Sequence, residues 1–353
     1  MADQFNSWGR IDRHRREATD LDEFVRFTGP EGGFLPFGNG RSYGDSCHND
    51  EGRLITMRPR ARIHGFDPET GILEADAGVT LEAILDQVIP HGYFLEVTPG
   101  TAQATLGGAV ANDVHGKNHH RRGSFGHSVV SFDLVRSDRE PFFCSPTENA
   151  DFFAATIGGM GLTGAIRRIR LKLMRVGSPD VEQVARRFDN IDGYFDAIDA
   201  IDREHEYSVA WIDQLATGRS TGRGVLMAGD HADEGQRVKA SRKRLSVPVS
   251  PPLNLLNRLT LSAFNALYYG RAPKRETLSL VGWRSYFHPL DAIGHWNRLY
   301  GPKGLFQHQS VFPADNARET VLRLMECSRE HGHASFLTVL KRFGGLPQPG
   351  LLS

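Results

Sequence analysis

The chain has 353 residues with 42 basic and 42 acidic side chains, so its formal net charge is zero. That balance gives no reason to expect nucleic acid or another strongly charged partner. The length and the 39% hydrophobic content predict a globular protein of two domains. Three widely spaced cysteines (Cys47, Cys144 and Cys327) favour a reducing, cytoplasmic compartment over a disulfide framework. We see no secretory signal and no run of roughly 18 apolar residues that would span a membrane.

Short strands and one helix can be predicted in the first half of the chain. Alternating apolar residues predict strands at 53–58, 71–77 and 165–174. Thr80 has the side chain of a helix N-cap, and apolar residues follow it at helical spacing over 81–88. Long glycine-rich connections separate these elements, which is typical of an α+β protein.

The second half has fewer glycines, and we place a domain boundary near residue 175. The residue pattern predicts a helix over 181–204 and strands over 207–215 and 224–229. These elements fit a substrate domain built on an antiparallel sheet with flanking helices.

The first glycine cluster spans residues 34–46 and contains Gly38, Gly40 and Gly44. Successive backbone N–H groups in such a loop can form a concave site for an anion such as a dinucleotide diphosphate. A structural turn between two strands explains the same residues, and the cluster alone does not decide between the two.

The second cluster spans residues 98–128, and its Gly107 and Gly108 precede small residues that could start a tightly packed helix. Four histidines also lie here: His115, His119, His120 and His127. Their spacing matches no common zinc signature, so we expect no metal. They could instead cap a surface loop, or His115 and Lys117 could face a ligand and orient a hydroxyl group.

The third cluster, residues 156–166, contains a formal GxGxxG pattern from Gly159 to Gly164. A Rossmann motif follows a strand and opens a helix. Here the pattern follows a helix-like segment and opens the strand at 165–174, so the order is inverted. We therefore expect these glycines to allow close backbone contact with a ligand.

The three clusters in this order resemble the vanillyl-alcohol-oxidase-like flavoproteins, which share the PCMH-type FAD-binding fold. The resemblance implies an α+β fold of two domains, with FAD bound by residues 1–175. Residues 176–340 would form the antiparallel-sheet substrate domain, and 341–353 would begin a return segment.

Further motifs resemble one branch of that family, the decaprenylphosphoryl-β-D-ribose 2′-oxidases. These motifs are GRSYGD (40–45), HGKNHH (115–120), GSFGH (123–127), FHPLD (287–291), HWNRLYGP (295–302) and FLTVLKRFG (336–344). The resemblance implies an FAD-dependent oxidoreductase that oxidises a sugar CH–OH group, namely the 2′-hydroxyl of a polyprenylphosphoryl ribose in cell wall biosynthesis. It also implies a partner reductase that completes an epimerisation. A sugar-lactone or alditol oxidase of the same fold is the alternative.

The resemblance assigns roles to individual residues. It places His115, Lys117 and Lys341 in the catalytic site and Trp211, Gln307 and Gln309 at the substrate. The residues implied in FAD binding are Gly38, Asn39, Gly40, Arg41, Ser42, Tyr43, Thr98, Gly100, Thr105, Gly107, Gly108, Asn112, His115, Gly116, Asn118, Gly123, Gly159, Gly161 and Gly164. A spacing of two would put Gln307 and Gln309 on one face of a strand. Trp211 is equally well explained as an ordinary core aromatic.

Several relatives tether FAD through a histidine in the first glycine cluster, where this chain has Tyr43. We therefore expect FAD to be held non-covalently, with His48 a poor candidate for a tether. The resembled enzymes continue for about a hundred residues beyond the end of this sequence, by family likeness alone. A flavin-binding protein that is catalytically incomplete without that part is therefore a further alternative.

A basic run at 236–245 precedes an apolar stretch with Leu256, Leu259, Ala263, Phe264 and Leu267 near one helical face. Such a pair could dock on anionic lipid at the inner face of the membrane. A leucine-rich face is more often core, so we favour a helix packed on the substrate domain.

Overall fold

The computed structural model describes residues 5–12, 14–26, 33–238, 245–252 and 256–352. The strands of this part are β1 (Glu17–Asp20), β2 (Phe34–Phe37), β3 (Arg53–Thr56), β4 (Ile63–Asp67), β5 (Ile72–Asp76), β6 (Tyr93–Leu95), β7 (Val129–Val135), β8 (Phe142–Cys144), β9 (Ala165–Arg175), β10 (Val181–Phe188), β11 (Tyr207–Ile212), β12 (Gly224–His231), β13 (Leu245–Ser246), β14 (Thr277–Val281), β15 (Ile293–Gly294) and β16 (Val339–Leu340). The α-helices are α1 (Leu21–Arg26), α2 (Leu81–Val88), α3 (Leu106–Ala111), α4 (His119–Arg122), α5 (Ala150–Thr156), α6 (Ile191–Glu204), α7 (Arg258–Arg271), α8 (Trp283–Phe287) and α9 (Ala317–Glu330).

Two sheets make up the first half of the chain. A parallel sheet has the order β1-β3-β2, and an antiparallel sheet has the order β4-β5-β9-β7-β8, with β6 also paired to β9. The strands predicted at 53–58, 71–77 and 165–174 are confirmed as β3, β5 and β9. Helices and antiparallel sheets together confirm the α+β class.

Helix α2 shows why the local sequence predicted the structure well. The Thr80 hydroxyl accepts a hydrogen bond from the Ala83 backbone N–H at 3.3 Å, as an N-cap does. Its four apolar positions lie on one face and are completely buried: Leu81, Ile84, Leu85 and Val88. They join the main core, which packs α2 and α3 against the six-stranded sheet.

The second half of the chain contains a five-stranded antiparallel sheet in the order β14-β10-β12-β11-β16. The predicted strands at 207–215 and 224–229 are confirmed as β11 and β12. Helices α6 and α9 cover one side of this sheet and share a second core with it. Where β11 ends, the buried Asp213 carboxylate accepts hydrogen bonds from Arg223 and Asn265 at 2.8–3.0 Å.

The prediction of one helix over 181–204 was wrong in its first part. Residues Val181–Phe188 form β10, which pairs with β12 and β14, and only Ile191–Glu204 is helical. The buried residues of β10 are Val181, Ala185 and Phe188, at the i, i+4, i+7 spacing of a helix face. Pairing on both edges of the strand overrides that periodicity.

The domain boundary predicted near residue 175 falls between the two large sheets, since β9 ends at Arg175 and β10 begins at Val181. The main core nevertheless crosses this point, because Tyr207, Tyr286 and Phe287 pack into it. The limits 1–175, 176–340 and 341–353 stay a prediction.

Helix α7 differs from the expectation that its leucine-rich face would be core. Leu259 is 79% exposed, Phe264 45% and Leu267 54%, whereas Leu261 and Asn265 are buried. The buried amide of Asn265 bonds Asp213, so this polar contact sets which side of the helix faces inward. Most of the basic run at 236–245 lies outside the described residues. The described helices are all too short or too polar to span a lipid bilayer.

Candidate active site

The first glycine cluster, here called loop 1 (residues 38–45), packs directly on the N-terminus of α3. A Cβ atom added to Gly38 would lie 2.4 Å from the Thr105 hydroxyl oxygen, so only glycine allows this approach. The Asn39 side-chain amide donates to the Gln103 carbonyl at 2.8 Å. Thr105 itself caps α3, because its hydroxyl accepts from the Gly108 backbone N–H at 3.2 Å.

The third cluster contacts the C-terminal end of α3. The backbone N–H groups of Gly158 and Met160 donate to Val110 and Ala111 at 3.1 and 2.7 Å. Gly161 has a positive φ of 82°, and a Cβ there would lie 3.0 Å from Pro36. Three segments that are far apart in sequence therefore meet around one short helix.

The remaining residues predicted to bind a cofactor surround this junction. Loop 1 carries Gly38–Tyr43 between β2 and β3, and Thr98 and Gly100 lie between β6 and α3. Helix α3 and its caps contain Thr105, Gly107, Gly108 and Asn112, and the segment that follows α3 contains His115, Gly116 and Asn118. Helix α4 ends at Gly123. The connection from α5 to β9 contains Gly159, Gly161 and Gly164.

Several buried polar atoms at this junction have no hydrogen-bond partner among the described residues. They are Arg41 Nε, Thr98 Oγ1, His115 Nδ1 and Asn118 Oδ1. All four belong to residues that the family resemblance assigns to cofactor binding. Buried polar atoms are normally satisfied, so this group fits a site whose ligand supplies the missing partners.

His115, Gln309, Lys341 and Phe343 form a wall beside the glycine junction. His115 Nε2 lies 3.4 Å from Gln309 Oε1, and the His115 ring packs against Phe343 with centroids 4.9 Å apart. Burial, helped by the nearby charge of Lys341, lowers the pKa of His115 to about 4. The ring is therefore neutral near pH 7 and can accept or donate one hydrogen bond at each nitrogen.

Lys117 lies close to this wall, and its ammonium group is enclosed by protein. The Nζ atom donates to the Tyr286 carbonyl and lies 4.1 Å from the centroid of the Tyr286 ring. Burial lowers the pKa of Lys117 to about 7, and Lys341 acts in the same direction. Burial also lowers the pKa of Lys341 to about 8. Two lysines that titrate near neutral pH are unusual outside functional sites.

The glutamines and Trp211 are placed differently from one another. Both glutamines are exposed, and of the two Gln309 lies beside His115. Residues 304–313, all of them described, form no strand. The predicted strand face is therefore wrong, since no neighbouring chain forms a ladder with this segment. Trp211 is buried in β11, and its indole donates to the Phe336 carbonyl at 2.8 Å. Its assignment to the substrate stays a prediction.

Each of the four clustered histidines has its own protein contact. His119 Nδ1 accepts from the Gly344 N–H at 3.1 Å, and His120 and His127 lie 3.1 and 2.9 Å from the His205 and Pro347 carbonyls. In the described residues, the group with metal-ligand spacing is instead Asp12, His14 and Asp50. Its two carboxylates already form ion pairs with the buried Arg16 side chain.

His48 is engaged by the N-terminal segment, and whether it tethers FAD stays a prediction. Its Nε2 accepts from the Ser7 backbone N–H at 3.0 Å, and its Nδ1 lies 3.1 Å from the Asp12 carboxylate. Tyr43, at the usual tether position, packs on Trp296 with ring centroids 5.8 Å apart.

A set of contacts that the sequence analysis did not predict joins the second half of the chain to residues 98–105. The Asp291 carboxylate accepts from the Thr101 hydroxyl at 2.7 Å and from the Ala102 N–H at 2.8 Å. Arg284 bonds Glu82, which in turn accepts from Gln103 at 2.6 Å. Asp291 lies in the FHPLD motif quoted above, but its spacing carries no indication of this role.

Comparison with known proteins agrees with this geometry. A family model described as an FAD binding domain matches residues 16–145. Decaprenylphosphoryl-beta-D-ribose oxidase of Mycolicibacterium smegmatis is 34% identical over 327 residues, which cover 88% of this chain and 70% of that protein. L-gulonolactone oxidase of mouse (Mus musculus) is 28% identical over 135 residues, covering 38% and 30% of the two chains.

The chain belongs to the PCMH-type FAD-binding oxidoreductases, the vanillyl-alcohol-oxidase-like flavoproteins. It is an FAD-dependent oxidoreductase, and of the two relatives above the ribose oxidase matches it over the greater length.

The residues at the glycine junction fit FAD. The close approach of loop 1 to α3 leaves backbone N–H groups free of side-chain bulk, as a diphosphate requires. The unpartnered atoms of Arg41, Thr98 and Asn118 are of the hydrogen-bonding types that a flavin nucleotide can satisfy. When bound, FAD supplies a two-electron acceptor for a hydride.

Proposed function

We propose that this protein oxidises a secondary hydroxyl of a lipid-linked sugar, the 2′-hydroxyl of a polyprenylphosphoryl ribose. The observation that carries the proposal is the convergence of His115, Lys117, Gln309 and Lys341 beside the glycine junction. The M. smegmatis relative, a decaprenylphosphoryl-ribose oxidase by name, aligns over 88% of the chain.

The polar wall has the groups that alcohol oxidation needs. The hydroxyl must lose its proton as hydride leaves carbon, and a nearby cation stabilises the developing alkoxide. We assign that role to the ammonium of Lys117, with Lys341 contributing to the positive field. The neutral His115 ring would accept the hydroxyl proton at Nδ1, the ring nitrogen that has no described partner, as hydride leaves the carbon.

The proposal includes FAD held without a covalent bond, because Tyr43 replaces the usual histidine and His48 is engaged elsewhere. It also includes contact with a membrane surface, where a polyprenyl lipid resides. The exposed apolar side chains of α7 support that contact. The product would be a 2′-keto sugar, which a partner reductase must consume to complete an epimerisation.

The test is anaerobic reduction of the bound flavin, followed by its visible absorbance. We expect a soluble short-chain analogue, farnesylphosphoryl-β-D-ribose, to bleach the flavin, whereas L-gulonolactone does not. Lys117→Met, with its FAD content checked, should slow bleaching at least about a hundredfold. Bleaching by the lactone but not by the ribose lipid would instead identify a sugar-lactone oxidase. Bleaching by neither in protein that holds FAD would refute the proposed substrate.

The lipid contact has its own test. The protein should co-sediment with anionic phospholipid vesicles, and Leu259→Ser combined with Leu267→Ser should reduce the bound fraction severalfold. The same change at exposed residues on another surface, Leu162→Ser, serves as the control. Equal sedimentation of all three proteins would show that α7 is not the lipid-binding surface.

A further inference from the structure

The ladder between β11 and β16 ends beside the residues that carry the two lysines of the polar wall. Its last pair is Ala210 with Leu340. The same antiparallel register places Ser208 opposite Arg342, the residue that directly follows the second lysine. The Ser208 backbone N–H instead donates to the Lys117 carbonyl at 2.9 Å. The segments that carry the two lysines therefore meet at this end of β11.

Asp202, near the C-terminal end of α6, lies between Ser208 and Arg342. Its side chain is only 9% exposed. Its Oδ1 accepts a hydrogen bond from the Ser208 hydroxyl at 2.5 Å, and its Oδ2 lies 3.9 Å from Arg342 Nη1. A buried carboxylate costs free energy unless it is paired and hydrogen-bonded. These two contacts therefore connect β11, through one carboxylate, to the residue after Lys341.

Two further groups face Asp202. His120 Nε2 lies 3.8 Å from Asp202 Oδ1 and 3.1 Å from the His205 carbonyl. Burial raises the pKa of Tyr194, and the charge of Asp202 acts in the same direction. Of the groups around Asp202, only Arg342 carries a permanent positive charge.

The chain beyond β16 also packs on the two histidines that follow Lys117. The Phe343 ring stacks on His119, with centroids 3.8 Å apart and planes at 11°. The Gly344 N–H donates to His119 Nδ1 at 3.1 Å, and a Cβ added to Gly344 would lie 2.6 Å from the His120 carbonyl oxygen. One short segment is thus held by stacking on one side and by the contacts of Asp202 on the other.

We propose that Asp202 is a positioning residue for both lysines of the polar wall. It holds Lys341 through Arg342, and it holds Lys117 through Ser208. It acts through these neighbours, since its described contacts are with them and not with either ammonium group. The inference rests on the proposed function, in which the two ammonium groups stabilise an alkoxide.

The two lysines need such support because their charges oppose each other. Burial lowers the pKa of Lys117 to about 7, and the charge of Lys341 acts in the same direction. A long lysine side chain without restraint turns its ammonium group toward water. Functional groups keep a costly geometry when hydrogen-bonded neighbours hold their backbone and rotamers. Without Asp202, Lys341 should therefore become more hydrated, and the pKa of both lysines should rise.

The test is an NMR titration of FAD-loaded protein labelled with 13C at the lysine Cε atoms. The chain has seven lysines, and Lys117→Met and Lys341→Met assign the two resonances that matter. In Asp202→Asn we expect the pKa of Lys341 to rise by about one pH unit or more, and that of Lys117 to rise with it. Removal of a nearby negative charge would by itself lower the pKa of an ammonium group. A rise therefore separates positioning from a direct effect of charge.

Ser208→Ala is the second variant, because it removes a hydrogen bond to Asp202 without changing any charge. It should raise the pKa of Lys117. Asp196→Asn is the matched control, since the exposed Asp196 on the same helix bonds Arg318 at 3.3 Å, away from the lysines. It should leave both lysine pKa values unchanged. Flavin content and thermal unfolding show whether each variant is folded, and Ser208→Ala decides if Asp202→Asn is not.

Three results would overturn the proposal. They are unchanged lysine pKa values in the folded variants, a fall in Asp202→Asn, and an equal rise in Asp196→Asn. A fall would show that Asp202 acts by its charge alone. The titration needs no substrate, so it decides the role of Asp202 whichever sugar is oxidised. Failure of the unmodified protein to oxidise the ribose lipid would refute the proposed function separately.

Discussion

Asp291 is predicted to hold residues 101 and 102 in the conformation that binds FAD. Replacement by asparagine keeps the shape of the side chain but removes the charge, so one of its two hydrogen bonds becomes weaker and the other is lost. Each bond to a charged group contributes about 1.5–3 kcal/mol. Burial raises the pKa of Asp291, which shows that desolvation of the carboxylate offsets part of that gain. The net loss in Asp291→Asn is therefore about 1–2 kcal/mol.

Asp291→Ala leaves both donors without a partner and should cost more, about 2–4 kcal/mol. Part of either loss should appear as weaker FAD binding, with the dissociation constant raised about tenfold for each 1.4 kcal/mol. Flavin fluorescence titration of apoprotein measures the constant, and urea unfolding measures the stability. Asp315→Asn, at an exposed site, is the control. Equal FAD affinity in the unmodified protein and both Asp291 variants would refute the reasoning.

Three further predictions concern protonation, backbone and burial. Lys117 and Lys341 lose a proton as the pH rises through about 7 to 8, so kcat/KM should fall above that range, approaching tenfold per pH unit. Gly161→Ala forces a side chain onto a positive φ and should cost about 1–2 kcal/mol of stability and weaken FAD binding. Asp213→Ala leaves the Arg223 guanidinium without its ion pair and should lower the free energy of unfolding by about 3–5 kcal/mol.

Each of these predictions has a matched comparison. A rise of kcat/KM with pH through 7 would mean that a neutral amine acts as a base, contrary to the ammonium assignment. Gly270→Ala, in a helix with no atom near the added Cβ, should leave both stability and FAD binding intact or improved. Asp233→Ala, at an exposed site, should change the unfolding free energy by less than about 0.5 kcal/mol.

Helices and strands that are determined by their own capping residues and apolar pattern were predicted correctly from the local sequence. Thr80 and the apolar positions after it define α2 without help from distant chain, and the alternation over 165–174 defines β9. The helix predicted over 181–188 was wrong because its buried residues, although at helical spacing, lie in a strand that is paired on both edges. The prediction that the leucine-rich face of α7 is buried was also wrong. The buried hydrogen bond from Asn265 to Asp213 turns the opposite face of the helix inward.

The candidate site was predicted by resemblance more than by spacing. His115, Gln309 and Lys341 converge although more than 190 residues separate the first two, and no periodicity indicates such a contact. Asp291 was missed for the same reason, since its partner Thr101 lies 190 positions away.

The N-terminal segment has a consequence for the order of folding during synthesis. The Asn297 amide donates to the Trp8 carbonyl, a hydrogen bond that spans 289 positions, and Leu305 donates to Gly9. Loop 1 lies beneath these contacts, since the Trp8 ring covers Arg41. The early residues thus stay without their final neighbours until the ribosome has released at least residue 305. Stable capture of FAD should therefore be a late event in the maturation of the chain, after synthesis of residues 297–305.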